Sequence, residues 1–379
     1  MLIKIKRFSI YFFVSILLVG CMSKNQKPLP DKFEVNLEID STFSASAGKI
    51  DSFFQSRYER GLFNGTVLFA QSGRVVYKNA FGFANFKTKD SLHIYSPFQL
   101  ASVSKPITAY AILLLQHQGL LTVQDSIRHF FPDFPYENIT IEQLLIHRSG
   151  LPNYMYFADD YWGRINTEPI SNDDVIEIMK EYEPKPNYNP GRRYNYCNTN
   201  YAILASIVQK VSGVRFGVFV EREIFKPLGM NDSYVYNKTI VKENGSAVKG
   251  FVSRNREADN TYLNGVVGDK GIYSSVEDLF KFDQALRKGR IIPLEELQQA
   301  YIPRHKKLYR HDNYGYGWRI STLSDSSKIV HHAGWWKGFR TYFIRDLKNQ
   351  KTIIVLSNRS RLGHFSTKEL MNLFEIDEE

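Results

Sequence analysis

Three short stretches of the chain hold side chains that could act together on a carbonyl. In Ser102-Val103-Ser104-Lys105 a hydroxyl and an amine stand three residues apart. Residues i and i+3 share one face of a helix, so Lys105 would reach the Ser102 hydroxyl. A lysine buried there could lose its proton and act as base, or polarise a neighbouring base. Tyr196-Cys197-Asn198 supplies a phenol and an amide. An ammonium group nearby favours the phenolate, so the pKa of Tyr196 is expected to fall. Such a tyrosine could take the serine proton and hand it to a leaving group. Asn198 would hold a substrate carbonyl or amide. His332-Ala333-Gly334 falls between two strand-like runs, where Gly334 would let a substrate pass close to the backbone.

Each pattern alone is weak. Ser46-Lys49 and Ser246-Lys249 also fit the first, Tyr77, Tyr136 and Tyr262 each begin the second, and His117-Gly119 fits the third. Each also has a bland reading. Ser102 could be a helix N-cap with Lys105 in solvent, Tyr196 packed core, Asn198 a helix cap, and His332 a surface residue at a strand end. Context favours chemistry. Ser102 opens a strongly apolar helix whose N-terminal amides could help hold an anion. Tyr196 sits in a loop between Pro190-Gly191-Arg192-Arg193 and a clean helical run.

The elements that must position these residues can be read from periodicity and punctuation. Helices are expected at Ile50–Arg60, Ser102–Gln118, Asp173–Glu181, Asn200–Val211, Phe216–Phe225 and Thr367–Phe374, with another capped by Ser274 and Glu277. Thr140 and Gln143 make a capping box. Strands are expected at Gly65–Gln71, Val75–Ala80, Tyr314–Ile320, Phe339–Arg345 and Thr352–Ser357, with a hairpin turn at Ser72-Gly73. Strands at both ends and helices between predict an α+β fold. An antiparallel sheet built from both chain ends (45–101 and 262–379) would carry an inserted helical lobe (102–261), with the site at their boundary.

The N-terminus reads as a targeting segment. Lys4, Lys6 and Arg7 precede a 13-residue apolar run, Phe8–Gly20, too short for a membrane span of about 20 residues but suited to a signal peptide over residues 1–20. Leu18-Val19-Gly20-Cys21 resembles a bacterial lipobox, which implies lipid attachment at Cys21. Residues 21–44 would then tether a catalytic body (45–379) to a membrane. The chain would face the periplasm or the surface of a bacterial envelope. Removing the leader takes the net charge from +10 to +7. With two cysteines in 379 residues, a disulfide scaffold is excluded. If Cys21 carries lipid, Cys197 has no partner. The basic clusters at Arg287–Arg290 and Arg304–Arg310 lack any nucleic-acid motif and suit a solvated face near an anionic membrane. No P-loop or metal-ligand spacing is present, so neither cofactor nor metal is expected.

The three elements, in this order, resemble the serine β-lactamase and penicillin-binding-protein superfamily, in particular its class C β-lactamase-related branch, peptidase family S12 with its esterases. Supporting stretches include GTVLFAQSGRVVYKNAFGFAN, FQLASVSKPITAYAILLLQHQGLLTVQDSI, ITIEQLLIHRSGLPNY, PGRRYNYCNTNYAILASIVQKVSG and GIYSSVEDLFKF. The resemblance spans roughly Gly65 to Ser357. It implies that Ser102 is the acylated nucleophile, that Lys105 and Tyr196 form the base system, and that Asn198 binds the substrate amide. His332 stands where relatives carry the lysine of K-T-G. The backbone N–H groups of Ser102 and Trp335 would form the oxyanion hole.

The chain departs from that pattern in places. His332 lacks the permanent charge of a lysine and Ala333 lacks a hydroxyl, so carboxylate recognition is expected to weaken. Trp335 and Trp336 would narrow one wall of the cleft. Cys197 replaces a serine but has no histidine base close in sequence, so it is not expected to be a nucleophile. Tyr154, Tyr156, Phe157, Tyr161 and Trp162 crowd one loop, either as packing or as an aromatic rim over the site. The expected activity is hydrolysis of an amide or ester in a small molecule or peptide, a peptidoglycan fragment among the candidates. A true β-lactamase, a D-Ala-D-Ala carboxypeptidase and a non-catalytic peptidoglycan or penicillin sensor are the alternatives.

Overall fold

The run GTVLFAQ carries two interleaved apolar sets, and the molecule buries both. In the computed structural model it forms strand β1 (Gly65–Gln71), with Val67 and Phe69 packed in one hydrophobic cluster and Leu68 and Ala70 in another. Ser72 and Gly73 both have positive φ, 50° and 77°, the geometry of a two-residue hairpin turn that matches strand twist. β2 (Arg74–Phe81) returns antiparallel to β1. The structure describes residues 33–163, 168–237, 248–253, 256–305, 312–362 and 364–374. The expected leader, Cys21 and positions 21–32 of the tether lie outside the described residues, as do positions 306–310 of the second basic cluster.

Five strands from the far end of the chain complete the sheet: β3 (Asp312–Tyr314), β4 (Arg319–Thr322), β5 (Lys328–Trp336), β6 (Phe339–Asp346) and β7 (Lys351–Ser357). The order is β3-β4-β5-β6-β7-β1-β2, antiparallel throughout. The last strand of the chain pairs with the first, Val67 opposite Val355 and Leu68 opposite Ile354. The α+β architecture with a sheet from both ends is as the sequence predicts.

The longer helices are α1 (Ser44–Glu59), α2 (Ser104–His117), α3 (Tyr154–Tyr161), α4 (Asn172–Tyr182), α5 (Asn198–Ser212), α6 (Val276–Lys288) and α7 (Thr367–Leu373). α1 and α7 cover one face of the sheet, where Ile50, Phe54 and Leu370 meet Val67, Phe69, Ile353 and Val355. α6 and the helical insert cover the other, where Phe282 and Leu286 join Leu68, Ile354 and Leu356. Each fully buried side chain of this size contributes about 1.5–3 kcal/mol.

A charged network is buried where α6 meets the sheet. Arg345 on β6 donates to Asp283 Oδ1 and to the Tyr301 hydroxyl, each at 2.6 Å. The Thr352 hydroxyl donates to Asp283 Oδ2 at 2.7 Å, and Arg287 adds a second ion pair at 3.0 Å. Asp283 and Arg345 are essentially solvent-free, which holds only because every charge is paired.

Three elements differ from expectation. The strand predicted over Tyr314–Ile320 is broken into β3 and β4 by a turn at Gly315–Trp318, where Gly317 (φ 80°) would set a Cβ 2.9 Å from the Lys105 carbonyl. His332 lies within a nine-residue strand, β5, rather than between strands. The cap of α6 is Ser275, whose hydroxyl accepts from Asp278 N–H, one residue after the predicted Ser274; Ser274 is taken up in the short strand Ile272–Ser274.

Candidate active site

The turn that feeds α2 sets the position of Ser102. Leu100 N–H donates to Ile272 O at 2.8 Å, which anchors the chain to the Ile272–Ser274 strand. Ala101 then takes φ 49°, a left-handed conformation that costs a non-glycine residue about 1–2 kcal/mol. A 3-10 turn over Ala101–Val103 runs directly into α2. Ser102 stays partly exposed while Ser104 and Lys105 behind it are fully buried.

Lys105 Nζ lies 3.1 Å from Ser102 Oγ, 2.8 Å from Asn198 Oδ1 and 2.8 Å from the Asp269 carbonyl oxygen. The last two groups can only accept. As an ammonium Lys105 donates to all three oxygens; once it loses a proton, the two obligate acceptors would take both remaining N–H bonds and leave the lone pair for the Ser102 hydroxyl. Burial is the largest influence on Lys105 and pulls its pKa down to about 8; Asp269 and Cys197 oppose that and Arg319 adds to it.

Asn198 is not spent on capping. α5 begins at Asn198, and the residue before it, Cys197, makes no side-chain cap bond. The Asn198 amide instead joins Lys105 through Oδ1 and Met155 Sδ through Nδ2, at 3.1 Å. Tyr196 stands near Ser102, and Lys105 Nζ sits 4.9 Å from its ring centre. The expected fall in its pKa is corrected: burial dominates and pushes the phenol up, against Ser102 and Arg319. Tyr196 is therefore a neutral phenol in the resting site.

His332 is buried, and its two ring nitrogens are both engaged. Nδ1 is 2.9 Å from Ala333 O and Nε2 is 3.1 Å from the Tyr314 hydroxyl. A proton on Nδ1 donated to the carbonyl leaves Nε2 to accept from the tyrosine. Burial, with Arg319 and Lys105 nearby, holds the ring pKa well below its usual value, so His332 is neutral. Gly334 packs where nothing larger fits: a Cβ there would lie 2.3 Å from Leu100 O and 2.3 Å from Thr341 Oγ1. Trp335, next along β5, is 66% exposed. β4 pairs with β5 only as far as His331, so among the described residues 332–336 have no strand partner on the β4 side.

Three contributors escape sequence reading. His147, with φ 57°, accepts from Asn195 N–H at its carbonyl and from Cys197 N–H at Nδ1. Its ring lies against Tyr196. The Asp269 carbonyl holds Lys105. Arg319 on β4 places its guanidinium 5.6 Å from the Tyr196 ring centre and supplies a permanent positive charge felt by Lys105, Tyr196 and His332. His147 heads a stretch, HRSGLPNY, legible as family text; neither Asp269 nor Arg319 carries a local signature.

Cys197 is buried, its thiol donating to Leu151 O and Pro152 O at 3.4 and 3.5 Å. Burial pushes the thiol up, and a protonated thiol is a poor nucleophile. The aromatic stretch after Gly150 is mostly helix, α3, not loop. Tyr154, Phe157 and Trp162 are buried and Tyr161 stacks on Tyr182 at 4.6 Å. Tyr156, beside Met155, is 79% exposed.

A hydroxyl within hydrogen-bond reach of a buried lysine, with a phenol and an amide alongside, is the working arrangement of a serine hydrolase. The chain belongs to the beta-lactamase family, whose model matches residues 50–378. It is 35% identical over 324 residues to penicillin-binding protein 4* of Bacillus subtilis, covering 82% of this chain and 71% of that one. A D-aminopeptidase of Cereibacter sphaeroides is 24% identical over 314 residues, 79% of this chain and 58% of that one. Among solved structures, a penicillin-binding protein homologue from Pyrococcus abyssi superposes with a TM-score of 0.72 at 28% identity, covering 83% of this chain and 73% of that chain.

Proposed function

We propose that Ser102 attacks a carbonyl with neutral Lys105 as its base. The observation that carries this is the three-way setting of Lys105 between Ser102, Asn198 and Asp269. The Ser102 proton passes to Nζ as Oγ bonds to the carbonyl carbon. The oxyanion is held by the backbone N–H groups of Ser102 and Trp335, which together can supply several kcal/mol (about 3–4 per donor at best). Tyr196, a phenol beside Ser102, relays a proton to the departing amine or alcohol, and Asn198 holds the acyl side of the substrate. Water then attacks the ester with the same groups in reverse.

The substrate is a small amide, ester or peptide. Similarity to a D-aminopeptidase and to penicillin-binding protein 4* supports D-amino-acid amides and peptides as the natural class. Neutral His332 argues against efficient β-lactamase action, while Arg319 restores part of the missing charge. A fluorophosphonate probe is expected to label the protein once per chain and to leave Ser102→Ala unlabelled; equal labelling of the two overturns the mechanism. Initial rates on a short-chain p-nitrophenyl ester, nitrocefin and a D-Ala-terminated peptide separate the classes. The ester is expected to be turned over fastest, and a dominant nitrocefin rate contradicts the reading of His332.

The sequence Leu18-Val19-Gly20-Cys21 supports lipid attachment at Cys21 and a bacterial envelope location. Incorporation of labelled palmitate that is lost in Cys21→Ser tests both; unchanged incorporation rejects the anchor.

A further inference from the structure

A second buried lysine lies behind Lys105, and the chemistry above does not use it. Lys270 is 2% exposed and Asp269 1%. Lys270 Nζ donates to the Tyr154 hydroxyl at 2.6 Å and to Val266 O at 3.0 Å. The Tyr154 hydroxyl donates onward to Asp269 Oδ2 at 3.0 Å. Asp269 Oδ1 receives no hydrogen bond and lies 3.6 Å from Lys270 Nζ. The Trp336 ring stands 5.2 Å from the ammonium.

Asp269 therefore serves two lysines with two different groups. Its main-chain carbonyl receives Lys105 at 2.8 Å; its carboxylate is turned to Lys270 and Tyr154. A carboxylate this close to Lys105 would, left alone, hold that lysine as an ammonium and deprive Ser102 of its base. Resting on the reading of Lys105 as that base, we propose that Lys270 and Tyr154 are positioning residues which bind the Asp269 carboxylate and offset part of its field at Lys105, so that the amine can lose its proton near neutral pH.

The surroundings agree with this division. Lys105 is faced by Ser102, Tyr196, Asn198, Asp269, Cys197, Arg319 and the Tyr201 ring, with His147 nearby. Asp269 is the carboxylate among them. Lys270 is faced by Tyr154, Asp269, Trp336 and, at longer range, Lys105. Burial pulls both lysines down to about 8 and Asp269 opposes that at each, so at pH 7 Lys270 is still chiefly the ammonium that the Asp269 carboxylate needs.

The test is the pH profile of fluorophosphonate acylation and of kcat/KM on the p-nitrophenyl ester. Lys270→Gln keeps a donor toward Tyr154 and Val266 but removes the charge. Its acid limb should move up by about one pH unit, so the rate at pH 7 falls about tenfold while the high-pH plateau stays within about threefold. Asp269→Asn should move the limb in the opposite direction. Lys270→Arg, which keeps the charge, should leave it near the parent value. Melting temperature shows which variants are folded, and the opposite signs of the first two let either one decide. A limb unmoved in a folded Lys270→Gln or Asp269→Asn overturns the proposal and leaves Lys270 a packing residue. The base assignment itself fails separately, when the unaltered protein takes no probe or shows no acid limb.

Discussion

His147 and Tyr196 lie ring against ring, centroids 4.3 Å apart and planes tilted by 41°. The same histidine accepts from Asn195 N–H through its carbonyl and from Cys197 N–H through Nδ1 at 3.2 Å. It thus grips the backbone on both sides of the phenol. His147→Ala removes an acceptor from a buried amide and leaves a void under Tyr196. The expected cost is about 2–4 kcal/mol in stability and about a hundredfold in kcat, with a smaller change in KM. Urea melts and steady-state kinetics on the ester check both.

The pH dependence follows from Lys105. Its folded pKa is lowered to about 8 by burial, and with Lys105 as the proposed base the active form would be the unprotonated one. Activity should therefore be low at acid pH, rise with unit slope through neutrality and level off above about 8. Tyr196 adds no acid limb, because burial pushes its pKa up and it stays a phenol. A profile of kcat/KM already flat from pH 5 to 8 would contradict Lys105 as base.

Gly334→Ala should abolish acylation while the protein stays folded. The added methyl would lie 2.3 Å from Leu100 O and from Thr341 Oγ1, so β5 and the Ser102 turn must move apart by about 0.7 Å or more to reach even the 3.0 Å limit of real Cβ contacts. The fluorophosphonate labelling rate is expected to fall by at least about a hundredfold, with little change in far-UV circular dichroism.

Asp283→Ala breaks the buried network at α6 and leaves Arg345, 1% exposed, without its carboxylate. The expected loss is about 3–5 kcal/mol, seen as a lower urea midpoint. The network lies away from Ser102, so kcat of the folded fraction should stay within a few-fold of the parent.

Cys197→Ser should retain most of the activity, and the native protein should resist thiol reagents until it is unfolded. The thiol is buried and held protonated. Rapid modification with parallel loss of activity would assign Cys197 a chemical role.

The sequence was most legible where period and punctuation were strong. The β1–β2 hairpin, α2, the Thr140 capping box and the two final strands all follow from local signals. Ser102, Lys105, Tyr196 and Asn198 were legible as short motifs with flanking text, and they do converge. β5 was not, because His331-His332-Ala333-Gly334 dilutes the β-branched and aromatic signature of a strand. The pKa of Tyr196 is not legible in the sequence, because a nearby cation is visible there while the depth of burial that outweighs it is not. Arg319 and Asp269 act through space from separate elements, and no spacing rule links them to Ser102.

The pairing of β1 with β7 joins residues such as Gly65 and Ser357, nearly the whole described chain apart. Contacts of that span form slowly, since the entropy of closing so long a loop is lost before the pair can repay it. The central sheet cannot be completed until the last strand has left the ribosome. Until then β1 presents a bare edge on the side β7 will occupy, and a chain cut short before β7 should be captured by chaperones or aggregate rather than accumulate as a smaller enzyme.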